Sequence, residues 1–561
     1  MHVVSSVVSV ALAGSLAFSA PAPAAPVSNL LEDALGVYSS QSLSWGACED
    51  DGSNTMMPGT ECARLRAPVD WSAPRGETVE LQAYRLKASS DQDGQSSRGT
   101  IANFPSGPGA PGYMGFNLEL SGYDWIGLDP RGVGQSGALT CSATGMLGIP
   151  RVPPTDQAVF EQFRSSQEND FWPSCTTEPA SLKNHMDAYS NANDMELLRR
   201  VLKLGNINLR GSSYGTLLAE RYLGLFGEHV NGSILDGVMN PAQTRTEFLT
   251  TAAASSEAAY ERFYQWCQSD TACVLKGRDI PEVFEQARTN VRNGEIPGTF
   301  MGVPWTEPLV TAYAELAIGA EGFAQAAQGL KNLAEGKNPE QDEMPAPSPM
   351  PEKMPYADPI VCSSFPLGVP HAQAVREDLA SARAVASVMR YNTNSTQYSS
   401  ICVGGPTPVP GSQDPVTSRS AHPTMLLSKA IDLATPKAWA DAVAKQLGSQ
   451  TIHLVADGIG HGAMRSPKIK EQVIDYLNVT NQPTPTPEPT PEPTPKPDTD
   501  TSSRDGSGVS EPTLDPQASS ATGQPLARTG VTSLPWLLGA SMLIVTVGAV
   551  LLHMTRKPRN S

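Results

Sequence analysis

The 561-residue sequence is short of positive charge: 40 Lys and Arg stand against 57 Asp and Glu, a formal net charge of −17. That deficit argues against nucleic acid or an anionic membrane surface as a partner. Metal-ligand spacing is missing as well. No Cys-x-x-Cys and no His-x-x-x-His pattern occurs, so no metal centre and no cofactor are expected. Lys and Arg are also absent from the apolar, small-residue run Val3 to Ala20, which only His2 precedes with any basic character.

What is present at the two ends sets them apart from a fold. The run to Ala20 continues into Pro21-Ala22-Pro23-Ala24-Ala25, and residues 1–25 read as a secretory signal cleaved near Ala22 to Ala25. The eight cysteines of an exported chain should then be mostly bridged, and local spacing suggests Cys48–Cys62, Cys141–Cys175, Cys267–Cys273 and Cys362–Cys402. Residues 481–525, rich in Pro, Thr and Ser, cannot bury a core and read as an extended spacer. Residues 534–554 form a nearly uncharged apolar span, long enough to cross a bilayer. The tail 555–561, with Arg556, Lys557 and Arg559, would face the cytoplasm.

Between spacer and span stands Leu526-Ala527-Arg528-Thr529-Gly530. The order of spacer, pentapeptide, span and basic tail resembles a sortase substrate. The resemblance implies cleavage between Thr529 and Gly530 and attachment to peptidoglycan through Thr529. The chain would then be secreted and wall-anchored, with sortase as a partner and the membrane touched only by the segment 534–554 before sorting.

Residues 26–480 are left for the fold. Runs at 61–71, 78–86, 99–104, 123–128, 233–238, 424–429 and 451–456 read as strands, with helical spacing over 194–204, 371–390, 436–447 and 466–477. Strands alternating with helices imply βαβ units and a mostly parallel sheet. From Thr244 the pattern turns helical (244–268, 281–292, 309–334), followed by a Pro/Met-rich loop. This divides the region into a first core part (26–243), an inserted helical lid (244–356) and a second core part (357–480).

The chemistry is concentrated at Gly211-Ser212-Ser213-Tyr214-Gly215, entered by a β-like run and left with helical spacing. That is the grammar of a nucleophile elbow, with Ser213 at its tip. A serine hydroxyl needs a base in hydrogen-bond reach, and the base needs an orienting carboxylate. In elbow-type enzymes the chain order is Ser, then acid, then His. His2 and His553 fall in the signal and the apolar span, and His185 precedes the serine. His229 ends the elbow helix, His371 and His422 precede every good acid, and His453 lies inside a strand. His461 remains, in the Gly-rich loop after that strand. Asp432, between a strand and a helix, is the favoured acid. Asp457 is the alternative, though it reads better as the start of the turn presenting His461. The oxyanion donors would be the main-chain N–H groups of Tyr214 and of Gly107, in Gly107-Pro108-Gly109.

Six stretches, Ser106 to Gly109, Asp129 to Ser136, Gly211 to Thr216, Leu235 to Val238, Asp432 to Pro436 and Gly458 to His461, together resemble the prolyl iminopeptidase and tripeptidyl aminopeptidase family. The resemblance implies an α/β-hydrolase fold with Ser213 as nucleophile, Asp432 as orienting acid and His461 as base then acid. It also implies release of short peptides or single residues from a free amino terminus. An ammonium must then be bound, usually by lid carboxylates, for which Glu247, Glu257, Glu261, Glu307 and Glu315 are candidates. An extracellular esterase or lipase would use the same triad. A non-catalytic surface adhesin would have no need of it.

Overall fold

The computed structural model describes residues 29–49, 55–88, 97–116, 120–339 and 351–481. The signal segment, the sorting pentapeptide, the apolar span and the basic tail lie outside the described residues. Among the described residues no helix is long and apolar enough to cross a membrane.

A nine-stranded sheet forms the spine. Its strands are β1 (Gly46–Ala47), β2 (Glu61–Pro68), β3 (Thr78–Leu86), β4 (Thr100–Phe104), β5 (Asp124–Leu128), β6 (Ile207–Ser212), β7 (Val230–Asp236), β8 (Thr424–Ile431) and β9 (Thr451–Ile459). The spatial order is β1-β2-β3-β5-β4-β6-β7-β8-β9. Pairing is antiparallel from β1 to β5 and parallel from β5 to β9. The side-chain pattern follows the burial. β2 alternates buried and open positions from Ala63 to Ala67, whereas β4 is buried at every residue because helices cover both faces there. Two of those helices are α1 (Ala188–Val201), N-capped by the Asp187 carboxylate, and α2 (Tyr214–Phe226), which leaves β6.

Between β7 and β8 rise the lid helices α3 (Arg245–Ser269), α4 (Ile280–Arg292), α5 (Glu307–Gly319) and α6 (Phe323–Ala334). Thr244 and Glu247 start α3 with a reciprocal capping box, so the Glu247 carboxylate is tied to its own helix end. Tyr260, Phe263, Phe284, Val310 and Leu330 give the lid a hydrophobic core of its own. The expected single helix over 309–334 is two. Glu321 takes φ 56°, and the chain doubles back so that α6 packs on α5. A Cβ at Gly329 would stand 1.9 Å from the Tyr313 hydroxyl, so only glycine permits that approach.

Helices α7 (Ala372–Val385) and α8 (Thr393–Ile401) also lie against α3, so chain that follows the lid in sequence packs back onto it. Helices α9 (Lys437–Leu447) and α10 (Pro467–Thr480) return to the sheet. The four disulfides form as expected: Cys48–Cys62, Cys141–Cys175, Cys267–Cys273 and Cys362–Cys402.

Candidate active site

The parallel strands all deliver their carboxyl ends to one edge, and four of them feed the site. Gly107 follows β4, Ser213 follows β6, Asp432 follows β8 and His461 follows β9. This is the edge where open parallel sheets place ligands.

Ser213 sits between β6 and α2 with φ 53° and ψ −124°, a strained conformation for a residue with a Cβ. Its N–H donates to the Asp236 carbonyl at 2.8 Å, and Thr216 binds the Ser213 carbonyl through N–H and hydroxyl. The turn is tight enough to exclude side chains at both flanking glycines. A Cβ on Gly215 would lie 2.2 Å from the Phe104 carbonyl oxygen, and one on Gly211 would lie 2.8 Å from that of Gly215. The Ser213 hydroxyl is buried and has no hydrogen-bond partner among the described residues.

Asp432 is fully buried. Both of its oxygens stand 3.0 Å from His461 Nδ1. Ala434 N–H, Thr435 N–H and Gly462 N–H donate to the same carboxylate at 2.9, 2.9 and 3.2 Å. The Thr435 hydroxyl lies 3.2 Å from Asp432 Oδ2 and 3.3 Å from His461 Nδ1. Burial alone would raise the carboxyl pKa, but the His461 charge and these hydrogen bonds outweigh it and hold it below the ordinary value. His461 moves the other way. Burial would lower it, but the Asp432 charge and hydrogen bond, helped by the Asp236 charge, raise it. Asp457, the alternative acid, is exposed and faces Arg262 on α3.

The loop that follows β4 is held at Gly112 and Met114. Asn103 Nδ2 donates to the carbonyls of Gly112 and Met114 at 2.9 and 3.0 Å. Asp129 accepts from Gly112 N–H at 2.9 Å, Gln135 N–H at 3.0 Å and the Tyr84 hydroxyl at 3.1 Å. Burial pushes the Asp129 carboxyl up to about 6 in spite of these donors. The next charge in that motif, Arg131, is buried against Asp194 at 2.6 and 2.8 Å. The Asp129 to Ser136 stretch is therefore architectural. Gly107, at φ 128°, and Tyr214, at the first position of α2, both line a small recess. N–H groups in a first helical turn have no intrahelical acceptor, which leaves that of Tyr214 available. Met239, Phe248, Val361 and Trp439 make much of the wall apolar, and Asn392, Asn394 and Ser395 make part of it polar.

The lid carboxylates fare differently from one another. Glu257 accepts from the Ser387 hydroxyl and the N–H groups of Val388 and Met389, and so holds the chain after α7. Glu307 pairs with Arg292 and Arg390. Glu261 is exposed on α3. Glu315 is buried beside the recess wall, accepting from Ser256 Oγ at 2.6 Å and from Thr393 N–H at 3.1 Å and its hydroxyl. Burial raises its carboxyl to about 6 against those donors and Arg151.

A second Ser–His–Asp contact shows why proximity is insufficient. Ser428 Oγ lies 3.1 Å from His453 Nε2, and His453 Nδ1 lies 3.5 Å from Asp441. Ser428 is buried within β8, away from any turn that would present its hydroxyl. His453 is thus a packed strand residue, as its position in the sequence suggests. Sequence reading did not reveal Thr435 or Asp236 as site residues. Thr435 could have been noticed three positions after the acid, where a turn returns to its carboxylate.

The fold is the α/β-hydrolase fold, and the arrangement it carries is that of a serine hydrolase. A family described as "alpha/beta hydrolase fold" matches residues 104–327, and one described as "TAP-like protein" matches residues 388–488. Over 260 residues the chain is 24% identical to the tripeptidyl aminopeptidase of Streptomyces lividans, covering 44% of this chain and 47% of that one. It is 25% identical over 263 residues to the serine protease Hip1 of Mycobacterium tuberculosis H37Rv, covering 44% and 48%. It is also 26% identical over 260 residues to carboxylesterase B of Mycobacterium tuberculosis, covering 41% and 46%. The chain thus spans about half the length of each of these relatives.

Proposed function

We propose that this chain is a wall-anchored serine aminopeptidase that releases short peptides from free amino termini through an acyl-enzyme. The observation that carries its serine-hydrolase part is the symmetric 3.0 Å hold of Asp432 on His461 Nδ1, at the same sheet edge as the strained Ser213. Ser213 Oγ attacks the scissile carbonyl carbon, and its proton passes to His461 Nε2. The N–H groups of Tyr214 and Gly107 receive the oxyanion. His461 then protonates the departing amine, water enters by the reverse sequence, and the acyl group leaves as a free acid.

Two of the three relatives carry peptidase names, and the buried carboxylate of Glu315 suits an ammonium anchor. Three donors reach that carboxylate, and an ionised carboxyl has about four acceptor sites; the reading assigns the fourth to the substrate ammonium. The esterase reading rests on the apolar part of the recess wall and on the carboxylesterase relative.

Chromogenic peptides with free and blocked amino termini, run beside simple esters, decide between the two. Faster turnover of free-amino tripeptides is the expected result. Better turnover of blocked peptides or esters would sink the aminopeptidase reading. For the anchor, Thr529→Ala should release or mislocalise the protein, and unchanged wall attachment would refute the role of sortase.

A further inference from the structure

We propose that Asp236 is the positioning residue that fixes nucleophile and base against each other. The inference rests on reading Ser213 as nucleophile and His461 as base. Asp236 ends β7, and two different parts of it reach the two partners. Its main-chain carbonyl accepts from Ser213 N–H at 2.8 Å. Its carboxylate, only 6% exposed, accepts from Ala463 N–H at 2.6 Å and Met464 N–H at 3.3 Å, immediately beyond His461. The elbow and the histidine loop therefore share one Cα as a common anchor.

The surroundings leave this joint no slack. Gly462 has φ 73°, and a Cβ there would stand 3.0 Å from Asp236 Oδ2. Gly237 has φ 71°, and its Cβ would stand 3.0 Å from His461 Cε1. Asp432 governs how the ring is rotated, through Nδ1. Asp236 governs where the ring sits, through the loop that carries it. Reaction rates depend steeply on that placement, since a shift of about 1 Å in a reacting group costs on the order of 10²-fold.

The charges facing Asp236 are Arg210 on β6 and His461 in the loop, with Arg465 beyond Arg210 and Asp432 across the ring. The Asp236 charge helps to hold a proton on His461. Removing it lowers the pH at which the ring becomes a neutral base.

The test is Asp236→Asn in the full chain, assayed on a chromogenic ester and a free-amino peptide. Asparagine keeps the size and one acceptor oxygen but turns an NH2 towards a main-chain N–H. We expect kcat to fall on the order of 10- to 100-fold, with KM within about twofold. The acid limb of the pH profile should move down by roughly half a unit as one nearby charge is lost. Gly462→Ala disturbs the same joint and keeps the charge. It should lose kcat to a similar extent with the limb unmoved, and it decides the question alone if Asp236→Asn does not fold. Wild-type kcat in either folded variant, or a loss of thermal stability with the pH profile and kcat intact, would overturn the proposal. Ser213→Ala separates the two levels. Turnover surviving in that variant removes the nucleophile reading itself, whereas an inactive Ser213→Ala beside a silent Asp236→Asn removes only the role of Asp236.

Discussion

The Ser255 hydroxyl, on lid helix α3, donates to the main-chain carbonyl of Asp432 at 2.6 Å. Its neighbour Ser256 continues the connection, binding Glu315 and accepting from Asn392, which also donates to the Leu433 carbonyl at 2.9 Å. The lid is therefore hydrogen-bonded to the loop that carries the acid. Ser255→Ala removes one such bond, worth about 1 kcal/mol. A decrease in kcat of roughly threefold to tenfold is expected, and unchanged kcat would show that the acid loop holds its place without the lid.

Ser213→Ala should abolish nearly all turnover, by about 10⁴-fold or more, with the thermal transition close to that of the parent chain. Alanine inherits the positive φ at this site and adds no new contact. Substantial residual hydrolysis by the purified variant would unseat Ser213 as nucleophile.

His461 must be neutral to accept the serine proton, and its pKa is raised above the ordinary 6.5. The acid limb of kcat/KM should accordingly lie above pH 6.5. Stability runs in the opposite direction. A group whose folded pKa is raised contributes stability fully below its unfolded value, and that contribution fades as pH rises through the folded value. Asp432, held below 3.8, contributes above 3.8 and ceases to do so as pH falls through its lower folded value. Activity thus rises over the window in which the His461 contribution to stability declines. A pH–rate profile with its limb at or below 6.5 would contradict the assignment.

Glu315→Gln keeps the shape of the lid carboxylate and removes its charge. If the carboxylate anchors a substrate ammonium, KM for free-amino peptides should rise on the order of 10-fold, the scale of a charged hydrogen bond. Esters without an amine should be unaffected. Equal losses on both substrates would assign Glu315 to packing alone.

The Cys362–Cys402 bridge ties the short helical turn Asp358–Ser363 to the end of α8, and Val361 and Tyr398 from those two pieces line the recess. It closes a loop with a sequence separation of 40. Loop-closure entropy for that length amounts to about 4 kcal/mol. The double variant Cys362→Ala/Cys402→Ala should show a clear drop in denaturation midpoint and a loss of turnover. An unchanged midpoint would mean that packing alone holds this wall.

Much of this molecule was legible from short stretches of chain. The strand-turn-helix around Ser213, with Gly211 and Gly215 on either side, is dictated within about ten residues by sterics that any fold must respect. The order of serine, acid and histidine along the chain then pointed to Asp432 and His461, and the structure brings those two within hydrogen-bond distance. What tertiary structure alone decided were matters of partnership. Glu257 and Glu315 look alike as acids on lid helices. One serves N–H groups 131 and 132 positions away, and the other is buried against Thr393, 78 positions away. Ser428 and His453 meet across two strands without making a site, whereas Asp236 joins Ser213 to a loop 227 residues further on. Local sterics are written in neighbouring residues. Which carboxylate is free, and which is occupied, depends on donors that only folding brings near.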